Sequence, residues 1–118
     1  MAGLGIITGL YREAACFDIF PETRRPRVRC HGIGPIRAAE GARQLVADGC
    51  DSLISFGIAG GLDPGLKSTA VVIADAVFAD GAPRRPTDEV WRERLRSLLE
   101  PQFTVSTGGL YGSDKVIE

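Results

Sequence analysis

Lysine, histidine and cysteine are scarce in this chain, and their scarcity excludes several kinds of site. Lys67 and Lys115 are the only lysines, arginine carries the remaining positive charge, and the formal net charge is −1. With a net charge near zero, the protein has no overall electrostatic field that would favour binding to nucleic acid or to an anionic membrane. One histidine, His31, and three cysteines without a CxxC spacing do not make a zinc set. The sequence therefore predicts no metal site, no nucleic-acid partner and three reduced thiols.

Long hydrophobic runs are also missing. No segment reaches the roughly 18 apolar residues of a membrane span, and the first residues lack the basic start and cleavage site of a signal peptide. We expect a cytoplasmic protein with no membrane span. At 118 residues, of which 44% are hydrophobic and 25% charged, the composition is that of one ordinary globular domain. We therefore expect a single α/β domain over residues 1–118.

Strand-like and helix-like segments alternate along the chain. Apolar runs predict strands at 4–10, 53–56, 70–77 and 103–106, the third of them covered on both faces. Alternation of charged and apolar residues predicts a half-buried strand at 27–30. Helical spacing predicts helices at 12–20, 36–46 and 87–99, and the second has Pro35 at its first position and Gly49 as its C-terminal cap. Residues 83–86 are predicted to form a linker. Gly108 and Gly109 are predicted to interrupt the regular strand conformation after the last strand. This order predicts a mixed, largely parallel sheet flanked by helices.

Glycine-rich turns follow three of the predicted strands, around Gly5 and Gly9, at 32–34 and at 57–61. Turns at the carboxyl ends of strands commonly bind ligands in α/β proteins, although 57–61 also fits a tight structural turn. The GxGxxxG spacing of residues 3–9 is similar to a dinucleotide fingerprint. Its glycines lie inside the apolar run rather than after it, which argues against that interpretation. A Rossmann-type dinucleotide binder is kept as an alternative.

The last residues look like another strand-end turn at 112–114 with no helix after it. A sheet that stops there leaves an edge exposed. We therefore expect the fold to be incomplete at its C-terminus, so that further sequence or a partner surface covers this edge, and a homo-oligomer is one such partner.

Five segments, in this order and at this spacing, resemble the nucleoside phosphorylase and nucleosidase family. They are GIITGLYRE (5–13), HGIGPIRAA (31–39), SFGIAGGL (55–62), VVIADAV (71–77) and GSDKVI (112–117). Together they cover the N-terminal half of such a protein, and the phrase at 55–62 is most similar to the hopanoid-associated phosphorylase branch. The resemblance implies a phosphorylase-like fold. It also implies cleavage of the N-glycosidic bond of a purine nucleoside, by phosphate or by water.

The resemblance also implies roles for particular residues. Glu13 stands where the nucleosidase branch has its general base, although a glutamate in a first helical turn is also commonly solvated. Four residues match the wall that binds ribose and nucleophile: Gly9, Ala59, Gly60 and Gly61. Val116 and Ile117 stand where the family holds the purine, and Val116 replaces an aromatic residue.

The sequence does not decide whether phosphate or water is the nucleophile. Ile58 stands where the family often has a hydroxyl side chain, which weakens the case for phosphate. Phosphate is nevertheless a possible co-substrate, and no other cofactor is expected. Arg12 and Arg37 are possible anion-binding residues, or solvated helix charges. His31 is a possible proton donor, or a polar residue satisfied by the fold.

Two elements of the family are not found in these 118 residues: the Met-Glu pair that binds the ribose hydroxyls and the late aspartate that protonates the leaving base. General acid catalysis contributes about 10²–10⁴-fold. We therefore expect the chain alone to bind purine nucleosides weakly and to turn over poorly or not at all. The alternative to an enzyme is a non-catalytic nucleoside-binding or assembly module.

Overall fold

The computed structural model describes residues 3–113. Its internal contacts divide the chain into two compact units, Met1–Ala59 and Gly60–Glu118. Each unit contains a three-stranded sheet. The expectation of a single domain over residues 1–118 stays a prediction.

The first unit has three strands with helices between them. Its strands are β1 (Gly3–Thr8), β2 (Arg27–Cys30) and β3 (Cys50–Ser55). Helix α1 (Tyr11–Ala15) and a 3-10 turn (Cys16–Ile19) follow β1, and helix α2 (Pro35–Ala47) joins β2 to β3. The sheet order is β2-β1-β3 and both pairings are parallel. The central strand therefore ends beside both of its neighbours.

Close packing between α2 and the sheet makes the core of this unit. Leu45 of α2 is fully buried and contacts Ile7 and Cys50. A Cβ at Gly5 would lie 3.0 Å from the side chains of Leu45 and Leu53, so a side chain at this point of β1 would separate helix and sheet.

The ends of α2 agree with the sequence prediction. Gly34 precedes the helix with φ of 105°, Pro35 is its first residue, and Gly49 follows it with φ of 97°. These positive φ values are accessible to glycine and strained for other residues. The predicted apolar face of α2 is partly wrong, because Ile36 and Val46 are exposed and Leu45 is the large side chain that reaches the core.

The second unit contains β4 (Val71–Phe78), β5 (Arg85–Pro86), helix α3 (Glu89–Leu99) and β6 (Val105–Tyr111). The order is β5-β4-β6. Strands β4 and β6 run parallel, whereas the two-residue β5 is antiparallel to β4. Helix α3 packs on β4 and begins at Asp88, whose carboxylate accepts the Trp91 amide at 2.8 Å.

Three expectations for this unit are wrong in detail. The predicted linker at 83–86 contains β5, because its residues pair with Ala76 and Val77. Gly108 and Gly109 do not end the last strand, since both pair with β4 and the strand continues to Tyr111. Strand β4 is not covered on both faces: Val72, Val77 and Phe78 are exposed.

The predicted fold class is confirmed. Three of the four strand pairings among residues 3–113 are parallel, one is antiparallel, and helices pack against both sheets. Within this described range, no helix has the length and apolar character needed to cross a membrane.

Candidate functional site

The Glu13 carboxylate lies between two turns at the carboxyl end of the first sheet. The side chain belongs to α1, directly after β1, and Glu13 is only 7% exposed. Its Oε1 accepts the backbone N–H groups of Gly9 at 3.1 Å and Leu10 at 3.0 Å. Its Oε2 accepts the N–H of Ile58 at 2.7 Å. The alternative of a solvated glutamate at the helix start is therefore wrong.

Parallel pairing brings these two turns together. Because β1 and β3 are neighbours and run in the same direction, the turns that follow them meet at one edge of the sheet. The Phe56 amide donates to the Ile7 carbonyl at 2.9 Å, which carries the ladder to the end of both strands. Beyond the strand ends, the Glu13 carboxylate connects the segment that follows β1 to the segment that follows β3.

The three amides do not occupy every acceptor direction of the Glu13 carboxylate. An ionised carboxylate offers about four acceptor directions, two on each oxygen. Oε1 uses both of its directions and Oε2 uses one. One direction at Oε2 remains for a further donor, such as a water molecule or a hydroxyl. The group is thus rigidly held and still able to accept one proton donor.

Gly57 is a residue of this site that the sequence analysis did not single out. A Cβ placed on it would lie 2.6 Å from the Glu13 carboxyl carbon and 2.8 Å from Oε1. The signal available in the sequence was a glycine directly after the strand end at Ser55-Phe56. Nothing in the sequence alone separates it from the other glycines of the loop.

Thr8, the last residue of β1, is a second polar group near the turn. It is 4% exposed, and its hydroxyl has no hydrogen-bond partner among the residues that the structure describes. A buried hydroxyl without a partner is costly. Thr8 therefore offers a free donor and acceptor at the carboxyl end of the central strand.

The other charged candidates hold the backbone or face solvent. Arg37 donates to the His31 carbonyl at 3.0 Å, and its aliphatic stem lies where a Cβ of Gly32 would be. The His31 ring lies 3.0 Å from the Gln44 amide oxygen, as expected for a polar residue satisfied by the fold. Arg12 is exposed. Anion binding by Arg12 or Arg37 stays a prediction.

The remaining predicted substrate contacts are distributed along the chain. Gly9 lies in the first turn beside Glu13, and a Cβ there would meet the backbone of Gly32 at 3.4 Å. Ala59 is exposed at the end of the first unit, while Gly60 and Gly61 are exposed within the second. Their substrate contacts stay a prediction. Val116 and Ile117 lie outside the described residues.

A separate cavity lies between α1, the 3-10 turn and β2. Its volume is about 460 Å³, and its lining does not include Glu13. It is lined by Tyr11, Ala14, Ala15, Phe17, Asp18, Arg25, Pro26, Val28 and Cys30. Within residues 3–113, no three histidine, cysteine, aspartate or glutamate side chains are grouped so that they could hold a metal ion.

These features define an α/β protein with a buried carboxylate at the carboxyl ends of parallel strands. The phosphorylase superfamily model matches residues 9–108, which is most of the chain. The chain therefore belongs to the phosphorylase superfamily. The match supports a nucleoside phosphorylase or nucleosidase type of enzyme at family level. No individual curated protein matches the chain.

Proposed function

We propose that the chain belongs to an enzyme that cleaves the N-glycosidic bond of a purine nucleoside, with Glu13 as the base that activates the nucleophile. The observation that carries the proposal is the buried Glu13 carboxylate, held by three amides with one acceptor direction left on Oε2. Membership of the phosphorylase superfamily supports the reaction class. The purine, the cytoplasmic location and the homo-oligomer rest on the sequence analysis.

The chemistry follows from the properties of a carboxylate. Breaking the bond between C1′ and the base leaves an oxocarbenium-like sugar, as in other glycoside cleavages, and a nearby negative charge stabilises it. The oxygen of water bonds to C1′, the electron pair of the broken bond goes to the base, and the water proton passes to Oε2 of Glu13. A proton from solvent or from a further acid neutralises the departing base.

Two observations favour water over phosphate as the nucleophile. The Ile58 amide already donates to Glu13, so it is not available to hold a phosphate oxygen. The second is that the Glu13 carboxylate, which the Ile58 amide contacts, repels an anion, and the Ile58 side chain offers no hydroxyl to offset that repulsion. A hydrolytic reaction is therefore the version that the described residues support best.

The test compares the wild-type chain with Glu13→Gln, and with Glu40→Gln as a matched control on the exposed face of α2. Thermal unfolding is followed with adenosine, adenine and NAD, and free base is measured after incubation with adenosine, with and without phosphate. Adenosine should raise Tm because a ligand that binds the folded state stabilises it. Base release should be slow, independent of phosphate, and about 10²-fold lower in Glu13→Gln.

Other outcomes contradict the proposal in distinct ways. Stabilisation by NAD without stabilisation by adenosine would indicate a dinucleotide binder. Stabilisation by adenosine with no base release would favour the non-catalytic binding module. Equal release from Glu13→Gln and the wild type would remove Glu13 from the reaction, and fast release would overturn the expected poor turnover.

A further inference from the structure

Gly57 is not required by backbone conformation. Among the described residues, glycines with positive φ are found at 32, 34, 49 and 81, and Gly57 is not one of them. An alanine could therefore adopt the backbone angles of residue 57. Its glycine needs another explanation, and that explanation is the space beside it.

The Glu13 carboxylate occupies the position that a Cβ of residue 57 would take. The distances of 2.6 Å to the carboxyl carbon and 2.8 Å to Oε1 are shorter than any van der Waals contact allows. The carboxylate is not a free end that swings aside, because Gly9 and Leu10 hold Oε1 and the residue is buried. A methyl group at 57 must displace the carboxylate or the loop.

Two other described glycines have a comparably close neighbour, but it is an arginine stem or an aromatic ring: a Cβ at Gly32 would lie 2.7 Å from Cδ of Arg37, and one at Gly109 would lie 2.5 Å from Cε1 of Phe78. A Cβ at Gly3, in β1 of the same unit, would meet nothing within 4 Å. At Gly5 the neighbours are the ends of leucine side chains, which rotate more easily than a bonded carboxylate. The contact between Gly57 and Glu13 thus depends on a charged group held in place by the backbone.

We propose that Gly57 is a positioning residue for Glu13. By leaving room for the carboxylate, it lets Oε2 reach the Ile58 amide and fixes the one acceptor direction that remains. The consequence for catalysis rests on the proposed function, whereas the contact itself does not. A displacement of about 1 Å in a reacting group costs up to 10²-fold in rate, so an alanine at 57 should lower base release with little change in adenosine binding.

The first measurement is hydrogen exchange of the Ile58 amide in the full chain. Gly57→Ala should make this exchange about 10- to 100-fold faster, the factor expected when a hydrogen bond to a charged group is lost. Gly3→Ala is the matched control and should leave the Ile58 exchange unchanged. Unchanged exchange in Gly57→Ala would overturn the proposal whatever the nucleoside assay shows.

The second measurement asks whether removing the carboxylate rescues Gly57→Ala. Urea unfolding of the wild type, Gly57→Ala, Glu13→Ala and the double variant forms a cycle. Gly57→Ala should lower the unfolding midpoint in the wild type and have little further effect in Glu13→Ala. If Glu13→Ala does not fold, Glu13→Asp, which withdraws the carboxylate by one methylene, takes its place. An equal loss in both backgrounds would overturn the proposal. Coupling between the two positions with base release unchanged in Gly57→Ala would contradict the proposed function alone.

Discussion

The two units share a three-stranded sheet and one long helix, of 13 residues in the first and 11 in the second, but different contacts hold them together. The first unit buries Ile6, Ile7, Leu45 and Cys50, whereas Ala76 is the buried hydrophobic residue described in the second. In the second unit, polar side chains of α3 and of the segment before it bind the main chain of the sheet, whereas Glu13 and Arg37 of the first unit bind the main chain of turns and loops. Apolar packing and polar bracing are thus two solutions to the same problem of joining a helix to a small sheet.

Arg92 shows how the second unit is braced. Its guanidinium donates to the carbonyls of Asp75 and Thr87, each at 2.9 Å, and the Thr87 hydroxyl donates to the Ala74 carbonyl at 2.6 Å. These bonds join α3, the segment before it and β4 around the irregularity between Ala74 and Ala76. The candidate base, by contrast, lies in the unit with the packed core, and a rigid support holds a reacting group more precisely than a loop does.

Removing a fully buried core side chain tests the contrast most strongly. Leu45→Ala should lower the free energy of unfolding by about 2–5 kcal/mol, because it removes buried methyl groups and leaves a cavity. Ile36→Ala on the same helix is the control, since Ile36 is 77% exposed and its loss should cost less than about 0.5 kcal/mol. Urea unfolding followed by far-ultraviolet circular dichroism measures both. Equal effects at the two positions would contradict the packed core.

Breaking the polar brace should have the next largest effect. Arg92→Ala leaves the Asp75 and Thr87 carbonyls without this donor, and we expect a loss of about 1.5–3 kcal/mol, the range for hydrogen bonds to a charged group. Arg94→Ala, two residues further along α3 and exposed, is the control and should be nearly neutral. Trp91 is the only tryptophan and lies on α3, so its fluorescence follows unfolding of the second unit. A neutral Arg92→Ala would show that the brace adds nothing to the helix.

The same contrast explains how much of the fold the sequence could predict. Local rules were sufficient for α2, where Pro35, Gly34 and Gly49 specify both ends. They were insufficient for β5, because a two-residue strand has no periodicity and exists only by pairing with β4. The apolar pattern of β4 predicted burial, but its exposure depends on what packs against it, which no local pattern contains.

The sequence likewise predicted some residues of the site but not the contacts between them. The resemblance singled out Glu13, and the strand-end glycines indicated where the turns lie. The bond from the Ile58 amide to Glu13 joins residues 45 positions apart, so only the parallel pairing of β1 and β3 reveals it. The role of Gly57 was out of reach for the same reason, because it depends on a carboxylate that arrives from another strand end.

The N-termini of the two long helices provide the test with the smallest expected effect. Helix α2 begins after Gly34 with no side-chain cap and with Pro35 at its first position, whereas α3 begins at Asp88, whose carboxylate accepts the Trp91 amide. Asp88→Ala should therefore cost about 1 kcal/mol, read from the same Trp91 fluorescence in urea. Asp88→Asn keeps an acceptor oxygen and should recover most of that loss.

If the asparagine variant is as unstable as the alanine variant, the negative charge near the helix start, rather than the hydrogen bond, stabilises α3. Polar bracing in the second unit would then be electrostatic at this end and would weaken with added salt, unlike the apolar core around Leu45.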